Sequence, residues 1–173
     1  LMLASHCASF LSHLRIERQL SVHTQKAYAR DLSEFTQWLT RAGITAPGEI
    51  RQKHLARWLA YLGARGLSPH SQQRMFSCVR SWLRFLADER VVPDNPAAGL
   101  RAPRAVRLLP RVPSPARVER MLQSLPVDTP RGRRNRALVE LLYGCGLRAS
   151  EVCALRVEDV DFERSLLTVR GKG

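Results

Sequence analysis

From residue 68 to residue 84 the chain reads SPHSQQRMFSCVRSWLR, and this stretch decides the fold class. Ser68 followed by Pro69 is a helix N-cap with a proline in the first helical position, where its missing N–H costs nothing. In the helix that follows, Phe76, Val79 and Leu83 fall on one side and Arg74, Ser77, Ser81 and Arg84 on the other. The same pattern recurs upstream. Leu3, Cys7, Phe10, Leu11 and Leu14 form one stripe. Ser21 caps a second helix with Tyr28, Leu32, Phe35 and Leu39 inward, Lys26, Arg30, Ser33 and Gln37 outward, and Gly43 at its end. Leu55, Trp58, Leu59 and Leu62 form a third stripe that closes at Gly66. Four short helices with one apolar face each must bury those faces against one another, so residues 1–100 are expected to form a four-helix bundle.

The chain has 173 residues, 45% of them hydrophobic, with a formal net charge of +13. That supplies a real core and excludes a disordered polypeptide, while the charge favours a polyanionic partner. No run of 18 apolar residues, secretory signal or lipidation signal is present, so no membrane association is expected. Cys7, Cys78, Cys145 and Cys153 lack ligand spacing and read as reduced core thiols of a cytoplasmic protein. Between Glu49 and Asp88 there is no acidic residue, yet Arg51, Lys53, Arg57, Arg65, Arg74, Arg80 and Arg84 all lie there. One side of the bundle is therefore expected to be cationic.

From Pro93 to Pro115 the composition turns to proline, alanine and arginine, which leaves no room for a long helix. An interdomain linker is placed at 101–113, with Arg101, Arg104, Arg107 and Arg111 spaced to lie along phosphates. In residues 114–173, Ser114 and Pro115 open a helix with Val118, Met121, Leu122 and Leu125 inward. A helix after Pro130 runs to Gly144, a short one spans Ser150 to Leu155, and a strand spans Leu166 to Arg170. Gly171-Lys172-Gly173 reads as a hairpin tip without its second strand, the mark of a truncated second domain.

Arg148 sits in a glycine turn just before the short helix, with Glu151 three residues on, where the carboxylate can orient the guanidinium. Several strings point further: Thr24-Gln25-Lys26-Ala27-Tyr28-Ala29-Arg30-Asp31-Leu32, Asn95-Pro96-Ala97, Pro103-Arg104, Arg134-Asn135-Arg136-Ala137-Leu138, Gly146-Leu147-Arg148-Ala149-Ser150-Glu151 and Gly171-Lys172-Gly173. In that order and spacing they resemble the Xer-type tyrosine recombinases, the XerC/XerD-like site-specific integrases, along nearly the whole chain. The resemblance implies a mainly α fold: a helical core-binding (SAM-like) bundle, then the start of an α+β tyrosine-recombinase catalytic domain. It implies DNA strand cleavage and rejoining through a 3′-phosphotyrosyl intermediate, with chromosome dimer resolution as the task and no metal or other cofactor.

Within that resemblance Arg148 stabilises charge on the non-bridging phosphate oxygens, Lys172 protonates the leaving 5′-oxygen, and Glu151 supports them. Duplex DNA is expected to meet Lys26, Arg30, Gln72, Gln73, Arg74, Arg80, Arg84, Arg101, Arg104 and Arg107. The implied partners are related recombinase subunits, as a tetramer on paired sites, and a septal DNA translocase. The family's His-x-x-Arg motif and nucleophilic tyrosine follow the lysine hairpin and are absent from these residues. Tyr28, Tyr61 and Tyr143 read as packing residues, so the chain alone is expected not to cleave DNA. Two rival readings are a non-enzymatic DNA-binding module and a metal-dependent nuclease using Glu158, Asp159, Asp161 and Glu163. The five histidines, His6, His13, His23, His54 and His70, lack i,i+4 pairing and read as surface or satisfied residues.

Overall fold

A computed structural model of the chain describes residues 2–103, 112–169 and 171. It divides into two compact units, Leu1–Leu108 and Leu109–Gly173. The architecture is mainly helical, with a single two-stranded sheet among the described residues.

The first unit consists of α1 (Met2–Ile16), α2 (Val22–Arg41), α3 (Gln52–Ala64) and α4 (Pro69–Asp88). Each start has a local cause. Ser21 accepts the backbone N–H of Thr24, and Ser68 accepts that of Ser71 ahead of Pro69. Gly43 and Gly66 follow α2 and α3 with φ of +78° and +76°, a left-handed conformation that glycine adopts without a Cβ penalty. Helix α4 packs against each of the other three, and its Met75, Phe76, Val79, Trp82, Leu83 and Leu86 are the centre of the core.

Phe35 lies 4.7 Å from the Trp58 ring and 6.1 Å from that of Trp82, so one aromatic cluster joins α2, α3 and α4. The indole N–H groups of Trp58 and Trp82 are buried without an acceptor among the described residues. Each such orphan costs about 1–3 kcal/mol, which the surrounding apolar burial outweighs. Residues beyond α4 also belong to this core: Val92 and Ala97 are buried, with Asn95 Oδ1 accepting the Ala97 N–H at 2.9 Å. The segment that the prolines suggested as connector therefore first seals the end of the bundle.

In the second unit, α5 (Pro115–Gln123), α6 (Pro130–Gly144) and α7 (Ala149–Ala154) precede β1 (Val160–Asp161) and β2 (Leu166–Leu167). Ser114 stands at the N-cap of α5 through its backbone alone, without the expected side-chain bond. Thr129, which the sequence reading passed over, caps α6 by accepting the Gly132 N–H at 3.1 Å. Met121 is exposed, while Val118 is buried and Leu122 half-buried, because a nine-residue helix has a narrow buried stripe; Leu125, also half-buried, lies beyond the end of α5.

The strand expected over Leu166 to Arg170 is shorter, and it is paired. It forms an antiparallel hairpin with β1, in register Val160↔Leu167 and Asp161↔Leu166. The sequence reading missed β1 because two residues carry no periodicity. The turn is set by Asp161 Oδ1 accepting the Arg164 N–H and by Ser165 at φ +52°.

The cysteines divide in a way the sequence reading did not anticipate. Cys78 is buried and Cys7 half-buried, but Cys145 and Cys153 are exposed, so these two are not core thiols. Burial pushes the Cys7 thiol up to about 12 and that of Cys78 upward as well. Alkylation of the native protein is expected to label Cys145 and Cys153 quickly, with Cys7 and Cys78 reacting only after unfolding. Peptide mapping by mass spectrometry after a short pulse would check this, and early label on Cys78 would contradict it.

Candidate functional site

The arginine turn is built by the end of α6 and the start of α7. Helix α6 stops at Cys145, Gly146 turns the chain with φ +65°, and Arg148 takes extended backbone (φ −74°, ψ 150°) as the N-cap of α7. Glu151, in the first turn of α7, holds Arg148 twice. Its Oε2 accepts the Arg148 backbone N–H at 2.8 Å and its Oε1 accepts a guanidinium N–H at 2.7 Å. The glutamate side chain is only 14% exposed, whereas that of Arg148 is 79% exposed. One carboxylate thus fixes both ends of an arginine whose side chain otherwise stays largely exposed to solvent.

Those bonds hold the Glu151 carboxyl below its usual value of 4.5, the backbone N–H of Arg148 first and its guanidinium second. A depressed carboxyl contributes stability above its ordinary value and loses that contribution as pH falls through the lowered one. The arginine turn is therefore expected to survive mild acid. In a carboxyl-carbon NMR titration Glu151 should titrate below 4.5, and Arg148→Ala should move it upward. An unchanged midpoint in the variant would contradict the anchoring.

Three of the four carboxylates weighed as metal ligands have other occupations, and Glu163 is exposed. Glu158 pairs with Arg156, Asp159 Oδ2 accepts the Arg156 N–H at 2.9 Å, and Asp161 serves the hairpin turn. Among the described residues no group of three or more His, Cys, Asp or Glu side chains could hold a metal ion. Tyr143 is exposed rather than packed, because it lies on the outer side of α6 near its end.

The residues expected on the nucleic-acid face occupy several environments. Lys26 and Arg30 on α2, Gln73, Arg80 and Arg84 on α4, and Arg101 are exposed. Gln72 is not on that face. It shares the inward stripe with Met75, Phe76 and Val79, is buried, and donates its amide to the Leu67 carbonyl at 2.8 Å. Arg80 donates to the Leu100 carbonyl and lies 4.7 Å from the Phe76 ring centroid, tying the segment after α4 to the bundle. Arg74 pairs with Asp31 across α2 and α4, and Arg65 pairs with Glu34. Arg104, Arg107, Arg111 and Lys172 lie outside the described residues.

Sequence reasoning missed Asp31, the buried member of the first pair. The signal was present, since Tyr28, Asp31, Leu32 and Phe35 follow i, i+3, i+4, i+7 spacing and put an acid on an apolar stripe.

In chain order a basic helical bundle is thus followed by an exposed arginine anchored by a carboxylate. Residues 7–90 match the model described as "Phage integrase, N-terminal SAM-like domain", and residues 114–173 match that of the "Phage integrase family". The chain belongs to this family, the tyrosine recombinases.

It is similar to the "Tyrosine recombinase XerC" of Xanthomonas campestris pv. campestris (strain B100), 44% identical over 164 residues, covering 95% of this chain and 51% of that protein. The protein of the same name in Xylella fastidiosa (strain M23) is 42% identical over 167 residues, covering 95% of this chain and 55% of its own length. The chain thus spans about half the length of these curated relatives. Among solved structures, the Tn1549 transposon integrase in complex with circular intermediate DNA shares the fold. Its TM-score is 0.72 at 22% identity, over 95% of this chain and 53% of that one. Among the described residues no helix is long and apolar enough to cross a membrane.

Proposed function

We propose that these residues serve site-specific DNA recombination of the tyrosine type. The bundle, residues 1–100, grips duplex DNA with α2 and α4, the 101–113 linker follows the phosphates, and 114–173 opens a catalytic unit. The observation that carries the reading is Arg148, held at two points by Glu151 yet largely exposed. As a tyrosine hydroxyl attacks a backbone phosphate, negative charge grows on the non-bridging oxygens. A guanidinium fixed beforehand stabilises that charge with little reorganisation. Glu151 is the positioning residue, and Lys172 is the general acid for the leaving 5′-oxygen.

The relatives' printed name, "Tyrosine recombinase XerC", supports tyrosine-type recombination; the task proposed for it is chromosome dimer resolution in the cytoplasm. The reaction would use related subunits as a tetramer on paired sites, with a septal DNA translocase as activator. Because phosphodiester energy is retained in the phosphotyrosyl link, no cofactor is needed. The 173 residues alone are expected to bind DNA without cleaving it, since Tyr28 and Tyr61 are half-buried in the bundle and no hydrogen bond joins the Tyr143 hydroxyl to Arg148 or Glu151 among the described residues.

A salt series tests the DNA reading. With about 6–10 phosphates neutralised, affinity for duplex DNA should fall roughly 10³–10⁵-fold between about 50 and 200 mM salt. A flat response would overturn it. A covalent adduct trapped on a nicked duplex would overturn the expectation that these residues do not cleave, and Tyr143→Phe would show whether Tyr143 is the nucleophile.

A further inference from the structure

Asp31 is almost completely buried, at 1% exposure, between the two helices to which DNA binding has been assigned. Its position is awkward on two counts. Taking a carboxylate out of water is expensive, and a negative charge beneath a face meant for a polyanion opposes binding. Stability alone is a weak reason to keep it, because replacing a buried ion pair by apolar residues is often neutral or favourable. Burial pushes its carboxyl above the usual range and the Arg74 guanidinium pulls it back, with Arg30 helping and Glu34 opposing.

What Asp31 does achieve is to fix Arg74. The guanidinium donates through NH1 to Asp31 Oδ2, while the Arg74 side chain stays 39% exposed. Its other donors are bonded to no described residue. Lys26, Arg30, Arg41 and Arg84, exposed Lys and Arg residues on the same two helices, have no side-chain bond among the described residues, and Arg80 is spent on the Leu100 carbonyl. Arg74 is therefore the cation of this face that a buried charge has pre-oriented, which lowers the ordering cost of a further contact.

We infer that Asp31 is a positioning residue for DNA binding: it anchors one edge of the Arg74 fork so that the exposed edge meets a phosphate of the DNA backbone at the α2/α4 face. The inference rests on the DNA-binding reading above.

Asp31→Leu separates it from simple electrostatics, because the two views predict opposite signs. That change raises the net charge by one, so charge alone would tighten binding. If Asp31 positions Arg74, binding weakens instead, by roughly tenfold for one lost charge-assisted contact. Asp31→Asn, which keeps an acceptor oxygen, should fall between the two. Arg74→Met should weaken binding and make the log K against log salt slope shallower by about 0.9. Adding Asp31→Leu to Arg74→Met should then change nothing further.

Thermal melts of each variant exclude misfolding as the cause. Should Arg74→Met fail to fold, the Asp31→Leu/Arg74→Met pair, which leaves no buried charge, carries the slope measurement. Wild-type binding that is salt-dependent, with Asp31→Leu binding as tightly or more tightly, would overturn the inference alone. So would an unchanged slope without Arg74. A flat wild-type salt response would instead remove the DNA reading beneath it.

Discussion

Gly132→Ala is expected to unfold the second unit while leaving the four-helix bundle intact. A Cβ on Gly132 would lie 1.6 Å from the Pro126 carbonyl oxygen, 2.7 Å from its carbon and 3.0 Å from the Pro126 ring. The oxygen belongs to the backbone, so no rotamer change removes the clash. The start of α6 or the whole Pro126 turn must move. Helix propensity alone points the other way, since alanine favours a helix over glycine by about 1 kcal/mol. Overpacking of this kind costs up to about 3 kcal/mol or more when the obstacle is backbone, so the clash wins.

The unit has little to resist with. Val118 and Val152 are its only large apolar residues fully buried among those described, while Phe162, Val157, Leu166 and Tyr143 are exposed. Hydrogen exchange followed by peptide should show loss of protection in 115–154 with the protection of α1 to α4 unchanged. Retained protection across α6 would contradict the prediction.

The second large effect is expected from Arg74→Met. Removing one partner of a buried pair leaves an uncompensated charge and costs about 3–5 kcal/mol when both partners are buried. Here Asp31 is buried but the guanidinium is 39% exposed, so screening by solvent reduces the expected loss to about 2–3 kcal/mol. For a bundle of this size that is a fall of roughly 10 °C in melting midpoint.

The pH dependence follows from the raised carboxyl. A carboxyl whose folded pKa lies above the ordinary 3.8 destabilises the fold progressively as pH rises through the raised value. Without Arg74 to pull it back, that value rises further. The deficit against wild type should therefore be small in acid, where Asp31 is protonated, and complete at neutral pH. Restoring stability by adding Asp31→Leu would show that the buried charge, not lost packing of Arg74, is the cause. A deficit independent of pH would show the reverse.

Much of the first unit was legible because its signals are local. Ser21 and Ser68 announce helix starts, Gly43 and Gly66 the ends, and each apolar stripe repeats often enough to assign a face. The arginine turn was legible for the same reason: a glycine, an arginine and a glutamate three residues on are all within one turn of chain. Where the reading failed, the information was not local. Met121 looks inward by spacing, but whether it is covered depends on what α5 packs against. Cys145 and Cys153 look like core residues by neighbourhood, but the unit that holds them buries few apolar side chains. β1 is two residues long and becomes a strand only through its pairing with β2.

Sequence alone determined that the chain is a basic, mainly helical protein with a four-helix first unit and an anchored arginine in the second, because periodicity, caps and turn residues act through near neighbours along the chain. Tertiary structure alone decided which polar residues those helices spend on themselves. Gln72 turns inward to close a loop, Arg80 holds the segment after α4, and Asp31 and Arg74 meet although 43 residues separate them. The physical reason is that a polar side chain on a helix carries no mark of its partner. Whether it faces solvent, a carbonyl or an opposite charge is settled by which helix packs beside it.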